Sequence, residues 1–349
     1  MSVAVTAEMP AVCNSRDVGG PRQPMMIAES LTKHFTLSGG GKRAVVQAVD
    51  AISFNVLKGE TLGIVGESGC GKSTTARLLI GLIKPDAGGL VFDGEEVGSP
   101  HGISIRKMQR SVQMVFQDSY ASLNPRLTLQ DTIAFGPRIA GRSRGDARRR
   151  ADAVLKLVGL DPERYAARYP HELSGGQRQR VNIARALAME PRLLILDEAV
   201  SALDKSVEAQ VLNLLQELKA RLALTFIFIS HDLSVVQFIS DRVMVMYLGK
   251  IVEIGPVDSI YQRPRHPYTK ALLSSRPSMD PKQRRTEPPL TGDPPSPINP
   301  PSGCRFRTRC ALAEAICAAL EPQLAEQGDG HFAACLATTP GSGHSAVAA

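Results

Sequence analysis

The chain has 349 residues, 43% of them apolar, with a formal net charge of +7. That length suits one large core with a smaller appendage, and no window approaches the roughly 20 apolar residues needed to cross a bilayer. The N-terminus has neither the basic start nor the apolar stretch of a signal peptide, so a cytosolic chain or one on a cytosolic face is expected. The positive charge suits nucleic acid, an anionic membrane surface or a nucleotide, and does not choose among them.

Residues 1–24 are small, polar and broken by Gly and Pro, which predicts a disordered tail with the folded part beginning near Met25. Residues 27–31 and 48–56 read as strands separated by a flexible loop over 38–43. Phe35 between them is either ordinary core or a ring that stacks on a base. Next come an apolar strand over 61–65, the run GESGCGKS from Gly66 to Ser73, and an apolar-periodic helix over 74–82. Gly, four residues, Gly, Lys and Ser between a strand and a helix is the pattern of a phosphate-binding loop. In such a loop Gly66, Ser68, Gly69, Cys70 and Gly71 wrap backbone N–H groups around a polyphosphate. The helix start at Thr74 adds its dipole, Lys72 reaches the terminal phosphates, and Ser73 binds Mg²⁺. A plain glycine turn would need neither the strand nor the helix.

Strands over 89–92 and 112–116 follow, the second ending in Gln117. Helical patterns then dominate residues 127–187. The densest basic run, six arginines in 138–150, has no interleaved aromatics and reads as a solvated helix face. Residues 193–196 are continuously apolar, as in a strand buried on both faces, and end in Asp197 and Glu198. Val207, Val211, Leu214, Leu215 and Leu218 mark a long amphipathic helix. Residues 224–229 form a second buried strand that delivers Ser230, His231 and Asp232, and 242–248 with 250–254 read as an antiparallel pair around Gly249. Alternating strands and helices imply an α/β fold with a mainly parallel sheet and a ligand crevice at the strands' carboxyl ends. From Arg263 the composition changes: 11 of the 24 prolines fall in 264–301, which predicts a wrap or linker. Cys304, Cys310, Cys317 and Cys335 follow, then a small-residue tail.

Nucleoside triphosphate hydrolysis needs a metal at the phosphates, an oriented water and donors for developing charge. Asp197 suits the metal and Glu198 the water, although an acidic pair after a strand can also be a helix cap. LSGGQ, residues 173–177, places Ser174, Gly175 and Gly176 at a second helix start about a hundred residues beyond the first. One triphosphate does not need both from the same molecule. His231 is placed to hydrogen-bond a γ-phosphate oxygen.

The set of GESGCGKS, Gln117, LSGGQRQR, LLILDE, SALD (residues 201–204) and SHD resembles the ATP-binding cassette (ABC) family in order and spacing, over about residues 25–261. FQDSYASLNPR, RHPYTKALL and SPINPPSGCRFRTRC are similar to the oligopeptide and dipeptide importer ATPases, which extends the likeness to about residue 336. The resemblance implies a mainly parallel central sheet, an antiparallel β subdomain, a helical subdomain over about 118–173 within a nucleotide-binding domain over 25–262, and a small irregular cysteine-rich extension over 263–337, with a disordered tail over 338–349. It implies ATP and Mg²⁺ as cofactors, with Lys72 on phosphate and Ser73, Gln117 and Asp197 around the metal. It also implies Glu198 as general base, His231 and Gln117 at the γ-phosphate, Phe35 on adenine, and Ser174, Gly175, Gly176, Gln177 and Asp204 acting across a dimer interface.

Expected partners are a second ATPase subunit of different sequence, two membrane permeases and an extracytoplasmic solute-binding protein, with no nucleic acid and a peripheral place on the cytoplasmic face of the inner membrane. Peptides are the expected solute, with nickel or glutathione as alternatives. A small-molecule kinase would not need LSGGQ, and nucleic-acid cassettes carry long coiled coils that are missing between Gln117 and Leu173. The family usually reads DEPVSALD, whereas Ala199 stands here for the proline. The four cysteines suit either zinc or an iron–sulfur cluster by number, or are unrelated small buried residues. Their gaps of five, six and seventeen residues are longer than usual zinc spacings, and some similar importer ATPases hold a four-iron four-sulfur cluster, so the resemblance implies these four as cluster ligands.

Overall fold

A computed structural model describes residues 16–20, 23–39, 42–275 and 295–347. Strands β1 (Pro24–Gly39) and β2 (Lys42–Leu57) form a long hairpin leading into β3 (Thr61–Val65). Helix α1 (Lys72–Leu79) follows, then β4 (Ala87–Phe92), β5 (Glu95–Glu96), α2 (Ile105–Ser111) and β6 (Val112–Val115). Helices α3 (Leu129–Ile139), α4 (Arg144–Leu157), α5 (Pro162–Tyr165) and α6 (Gly175–Leu187) precede β7 (Leu193–Asp197). The chain continues through α7 (Lys205–Leu222), β8 (Thr225–Ile229), α8 (Leu233–Ile239), β9 (Arg242–Tyr247) and β10 (Lys250–Pro256). Helix α9 (Val257–Gln262) closes the cassette, and the extension adds α10 (Pro267–Ser274), α11 (Ala315–Ala319), β11 (Ala325–Glu326) and β12 (Phe332–Ala333).

Two sheets organise these elements. The larger runs β11-β12-β10-β9-β3-β8-β7-β6, with β9, β3, β8, β7 and β6 parallel to their neighbours and β10 turning antiparallel. Every residue of β3, β7 and β8 is buried, which is why their sequences are continuously apolar rather than alternating. The smaller sheet, β2-β1-β4-β5, is antiparallel throughout. One core face of the large sheet packs against Leu78, Leu79, Phe54 and Met108, and the other packs Leu214, Leu215, Val236 and the α3–α6 helices. In that helical layer Thr128 and Ser143 cap α3 and α4 by accepting the N–H groups of Asp131 and Asp146. The basic run spans the end of α3, the turn after it and the start of α4; Arg148 pairs with Asp131, and Arg142 and Arg150 pair with Glu190.

The ends of the chain depart from the expectations. Packing begins before Met25: Asp17 and Asp93 share a buried ion network with Lys58 and Arg192, and Val18 N–H donates to Asp93 at 2.7 Å. Burial pushes the Asp93 carboxyl up, and the Arg192, Lys58 and Val18 hydrogen bonds more than offset this, holding it at about 2. The far tail is also packed. His344 is buried and meets Leu312 O at 2.8 Å, so the chain beyond 338 closes over the cysteine region. Half of the proline-rich stretch, residues 276–294, lies outside the described residues. The extension is not wholly irregular: β12 pairs with β10 and lengthens the large sheet.

Candidate functional site

β3 feeds the glycine loop, and two of its glycines are required by geometry. Gly66 has φ 150° and Gly71 φ 109°, and a Cβ on either would lie 2.2 Å from a carbonyl oxygen, of Met246 and Ala48 respectively. Gly71 is the N-cap of α1, where no side chain caps the first-turn N–H groups and no acidic residue sits among them. That helix end presents its donors and positive dipole to an anion. Lys72 is buried, and its Nζ donates to Gly66 O at 2.7 Å and Glu67 O at 3.1 Å.

Beyond the loop stand the acidic residues at the end of β7. Ser73 Oγ donates to Asp197 Oδ1 at 3.1 Å. Burial lifts the Asp197 carboxyl above its ordinary value; the Ser73 hydrogen bond opposes that shift and the Glu198 charge reinforces it. A buried carboxylate with raised proton affinity beside a hydroxyl is short of positive charge, and the pair fits a hard cation such as Mg²⁺. Glu198 sits at φ 49°, a left-handed conformation that costs a non-glycine residue roughly 1–3 kcal/mol. Its N–H donates to Ile229 O at 2.9 Å, and Ser201 N–H and Oγ both donate to its carbonyl, which hold the turn. The carboxylate accepts from Gln117 Nε2 at 2.7 Å, and His231 Nδ1 lies 3.5 Å away. Ala199, the next residue in the chain, is buried.

Gln117, Glu198 and His231 line one open cleft of about 380 Å³ with Ser68, Gly69, Gly71, Lys72, Ser73 and Thr74. Val46 and Ala48 of β2 form the rest of its wall, a contribution invisible in the sequence because neither residue carries a distinctive side chain. Phe35 is 38% exposed and sits across the hairpin from Val46, with Lys33 Nζ 5.6 Å from its ring, but does not itself line the cleft.

The other predicted phosphate-binding residues lie elsewhere in this chain. Ser174 and Gln177 form a reciprocal capping box at the start of α6, and Gln177 also donates to Tyr165 Oη at 3.1 Å. Gly175 and Gly176 open that helix, and Asp204 caps α7 by accepting Val207 N–H at 2.9 Å. None of these five residues reaches the cleft.

Cys304, Cys310, Cys317 and Cys335 line a single cavity of about 20 Å³, floored by Phe306 and Leu336, and all four are free thiols. Cys304 N–H donates to Cys317 O at 2.8 Å. Burial pushes the thiols of Cys304, Cys310 and Cys335 up, Cys304 to about 11. Among the described residues, however, no three His, Cys, Asp or Glu side chains are arranged to hold a metal ion. The expected metal centre is thus not preassembled: Cys317 and Cys335 are buried, Cys304 and Cys310 half-buried, and the four pack as small apolar groups. Sequence reasoning missed two further residues. Tyr268 and Arg309 both contact Glu67 of the glycine loop. They lie within the RHPYTKALL and CRFRTRC stretches, which carried the resemblance without any assigned contact.

Comparison with known proteins decides the family. Residues 49–201 match the model of the ABC transporter family, and residues 252–317 match that of the oligopeptide/dipeptide transporter C-terminal region. The oligopeptide transport ATP-binding protein AppF of Bacillus subtilis is 48% identical over 322 residues, covering 90% of this chain and 97% of AppF. The chain belongs to the ABC transporter ATPase family. Among solved ABC structures, cbiO1 of Clostridium perfringens, part of the transporter complex cbiONQ, aligns with TM-score 0.58 and 30% identity over 69% of this chain and 91% of cbiO1. A dimeric ATP-binding cassette in a post-hydrolysis state, bound to ADP and phosphate, aligns with TM-score 0.58 and 29% identity over 67% of this chain and 99% of the other. Among the described residues of this ABC ATPase, no helix is long and apolar enough to cross a membrane.

Proposed function

We propose that this ABC ATPase powers peptide import through membrane permeases, as a peripheral subunit on the cytoplasmic face of the inner membrane. The observation that carries the solute assignment is the match of residues 252–317 to the oligopeptide/dipeptide transporter C-terminal region. The helices between Gln117 and Leu173 support a transporter over a nucleic-acid clamp, since the longest has 14 residues and no coiled coil interrupts the cassette.

ATP fits the cleft: the α1 terminus and the loop N–H groups receive the phosphates, and Lys72 Nζ exchanges loop carbonyls for phosphate oxygens. Ser73, Gln117 and Asp197 would hold Mg²⁺, which would neutralise the charge that develops on the phosphates. Glu198 accepts the proton of the attacking water at its carboxylate, Gln117 orients that carboxylate, and His231 donates to the γ-phosphate. Ser174, Gly175, Gly176, Gln177 and Asp204 lie off this chain's own cleft, which supports their acting on the cleft of a partner ATPase. Phe35 is near enough to the Val46 wall to meet an adenine ring once that wall is occupied. The expected assembly has a second, different ATPase subunit, two permeases and an extracytoplasmic solute-binding protein.

The test is reconstitution with its membrane permeases and partner ATPase, in vesicles carrying the solute-binding protein. ATP-dependent uptake of labelled di- and oligopeptides supports the reading; uptake of nickel or glutathione instead, with peptides excluded, rejects the peptide assignment.

We also propose that Cys304, Cys310, Cys317 and Cys335 hold a four-iron four-sulfur cluster. Their convergence on one cavity and their freedom from disulfides support it, and a cationic group would reverse the upward push that burial exerts on the thiols. Zinc remains the competing occupant. Anaerobic purification should yield a brown protein with iron and sulfide in about equal amounts, lost in Cys310→Ser. A colourless protein without iron rejects the cluster.

A further inference from the structure

The glycine loop is the most conformationally demanding segment of the cleft, with Gly66, Gly69 and Gly71 all at positive φ. Holding such a backbone in one form costs conformational entropy, and any contact that holds it before nucleotide arrives removes part of that cost from binding. Such contacts come from the C-terminal extension. Glu67, the second residue of the loop, donates its N–H to Tyr268 Oη at 2.9 Å. Its carboxylate accepts both terminal nitrogens of Arg309, at 2.9 and 3.1 Å. Its carbonyl accepts from Lys72 Nζ at 3.1 Å. The residue is therefore gripped at backbone and side chain by groups 201 and 242 positions away in the sequence.

The grip is rigid at its far end. Tyr268 and Tyr247 are essentially unexposed and tilt against each other with ring centroids 4.6 Å apart, and Phe306 packs on both at 5.4 and 5.3 Å. Arg309 also donates to Tyr247 Oη at 3.4 Å, and its side chain is only 6% exposed. An exposed ion pair would contribute little, but a forked pair shielded on one side is both stronger and directional.

We propose that Arg309 is a positioning residue for nucleotide binding, acting with Tyr268 through Glu67 to pre-organise the phosphate loop. The proposal rests on the reading of the cleft as the ATP site. Neither residue touches the cleft, so both act on the loop and not on the nucleotide.

The full-length protein supplies the test, with a fluorescent ATP analogue titrated into wild type, Lys72→Ala, Arg309→Met, Arg309→Lys, Glu67→Gln and the Arg309→Met/Glu67→Gln double variant. Arg309→Met should weaken binding roughly tenfold, equivalent to about 1.4 kcal/mol, and Arg309→Lys should restore part of the loss. The double variant should bind no more weakly than Arg309→Met alone, because both changes cut the same link. In the assembled transporter the KM for ATP should rise while kcat at saturating ATP stays within about twofold, as loss of uniform binding requires. Faster hydrogen exchange at the amides of Ser68 to Gly71 in Arg309→Met gives a readout without nucleotide, and Glu67→Gln breaks the link from the cassette side should Arg309→Met not fold. If wild type binds and Lys72→Ala does not, yet Arg309→Met and Glu67→Gln both bind like wild type, the positioning role is overturned and the ATP site stands. If wild type itself fails to bind, the reading of the cleft falls first.

Discussion

Glu198 combines a strained backbone with an engaged side chain, and the two belong together. A left-handed non-glycine residue persists only where its surroundings over-determine it, here through Ile229 O, Ser201 and Gln117. The expected role follows from what an amide cannot do. Glu198→Gln keeps the shape but cannot accept the water's proton, so ATP should still bind while steady-state hydrolysis in the assembled transporter falls about 10²- to 10⁴-fold. Hydrolysis within a fewfold of wild type would move the base elsewhere. At this scale the cleft is legible where chemistry demands a rare residue at a fixed spacing: Lys72 closes a glycine loop onto a helix, and Asp197, Glu198 and His231 stand at or just past the ends of buried strands. The Glu67 grip is not legible, because Tyr268 and Arg309 sit more than 200 residues away and an Arg or Tyr in an irregular stretch has no periodic signature. The cysteines are an intermediate case. Their shared cavity could be anticipated from crowding, but their unassembled packing depends on burial that spacing does not encode.

Helices α6 and α7 meet closely enough that a single methyl group matters. A Cβ on Gly176 would lie 2.3 Å from Val207 Cγ1, whereas one on Gly175 would meet Leu203 at an ordinary 3.7 Å. Gly176→Ala should therefore destabilise the fold by about 1–2 kcal/mol despite the better helix propensity of Ala, and Gly175→Ala should stay within about 0.5 kcal/mol. Urea midpoints of the two variants check the contrast. Helix α10 carries a pH dependence. Its cap is His266, whose Nδ1 accepts the Tyr268 N–H at 3.0 Å, and burial holds the imidazole down at about 4 with the Glu253 charge opposing. A histidine depressed from an unfolded value near 6.5 contributes stability that is complete above that pH and lost as the pH falls towards 4. The loss at pH 5 should be about 2 kcal/mol, read as the part of the acid-side fall in melting temperature that disappears in His266→Asn, where the amide oxygen keeps a cap acceptor. Element by element, the buried strands β3, β7 and β8 and the β9–β10 pair are legible from apolar runs and Gly249. The two-residue strands β11 and β12 are too short for any alternation to register. Asp17 lies in a stretch whose polar composition gives no hint that a buried Arg192 and Lys58 await it.

Of the two helix starts expected to meet phosphate, that of α1 lines this chain's own cleft and that of α6 does not. A monomer should therefore be a poor enzyme. ATPase activity per subunit should fall as the purified protein is diluted and rise when its partner ATPase and permeases are added; a specific activity independent of dilution, at the level of the assembled transporter, would contradict a shared site. The extension also determines which surfaces the cassette exposes. Ile251, Val252 and Ile254 of β10 are buried, and β12 occupies the hydrogen-bonding edge beside them, with Ala334 N–H completing the seam at Val252 O, 2.8 Å away. Glu253, unexposed, is hydrogen-bonded by residues of the extension: Arg265 and His266 through their N–H groups and His331 through its ring. Cutting the chain after Gln262 would uncover an apolar strand rim with open backbone donors and acceptors, the template from which sheets grow between molecules. Such a truncated cassette should form multimers or precipitate in size-exclusion runs where the full chain stays dispersed, which makes the extension a guard against self-association as well as a neighbour of the nucleotide site.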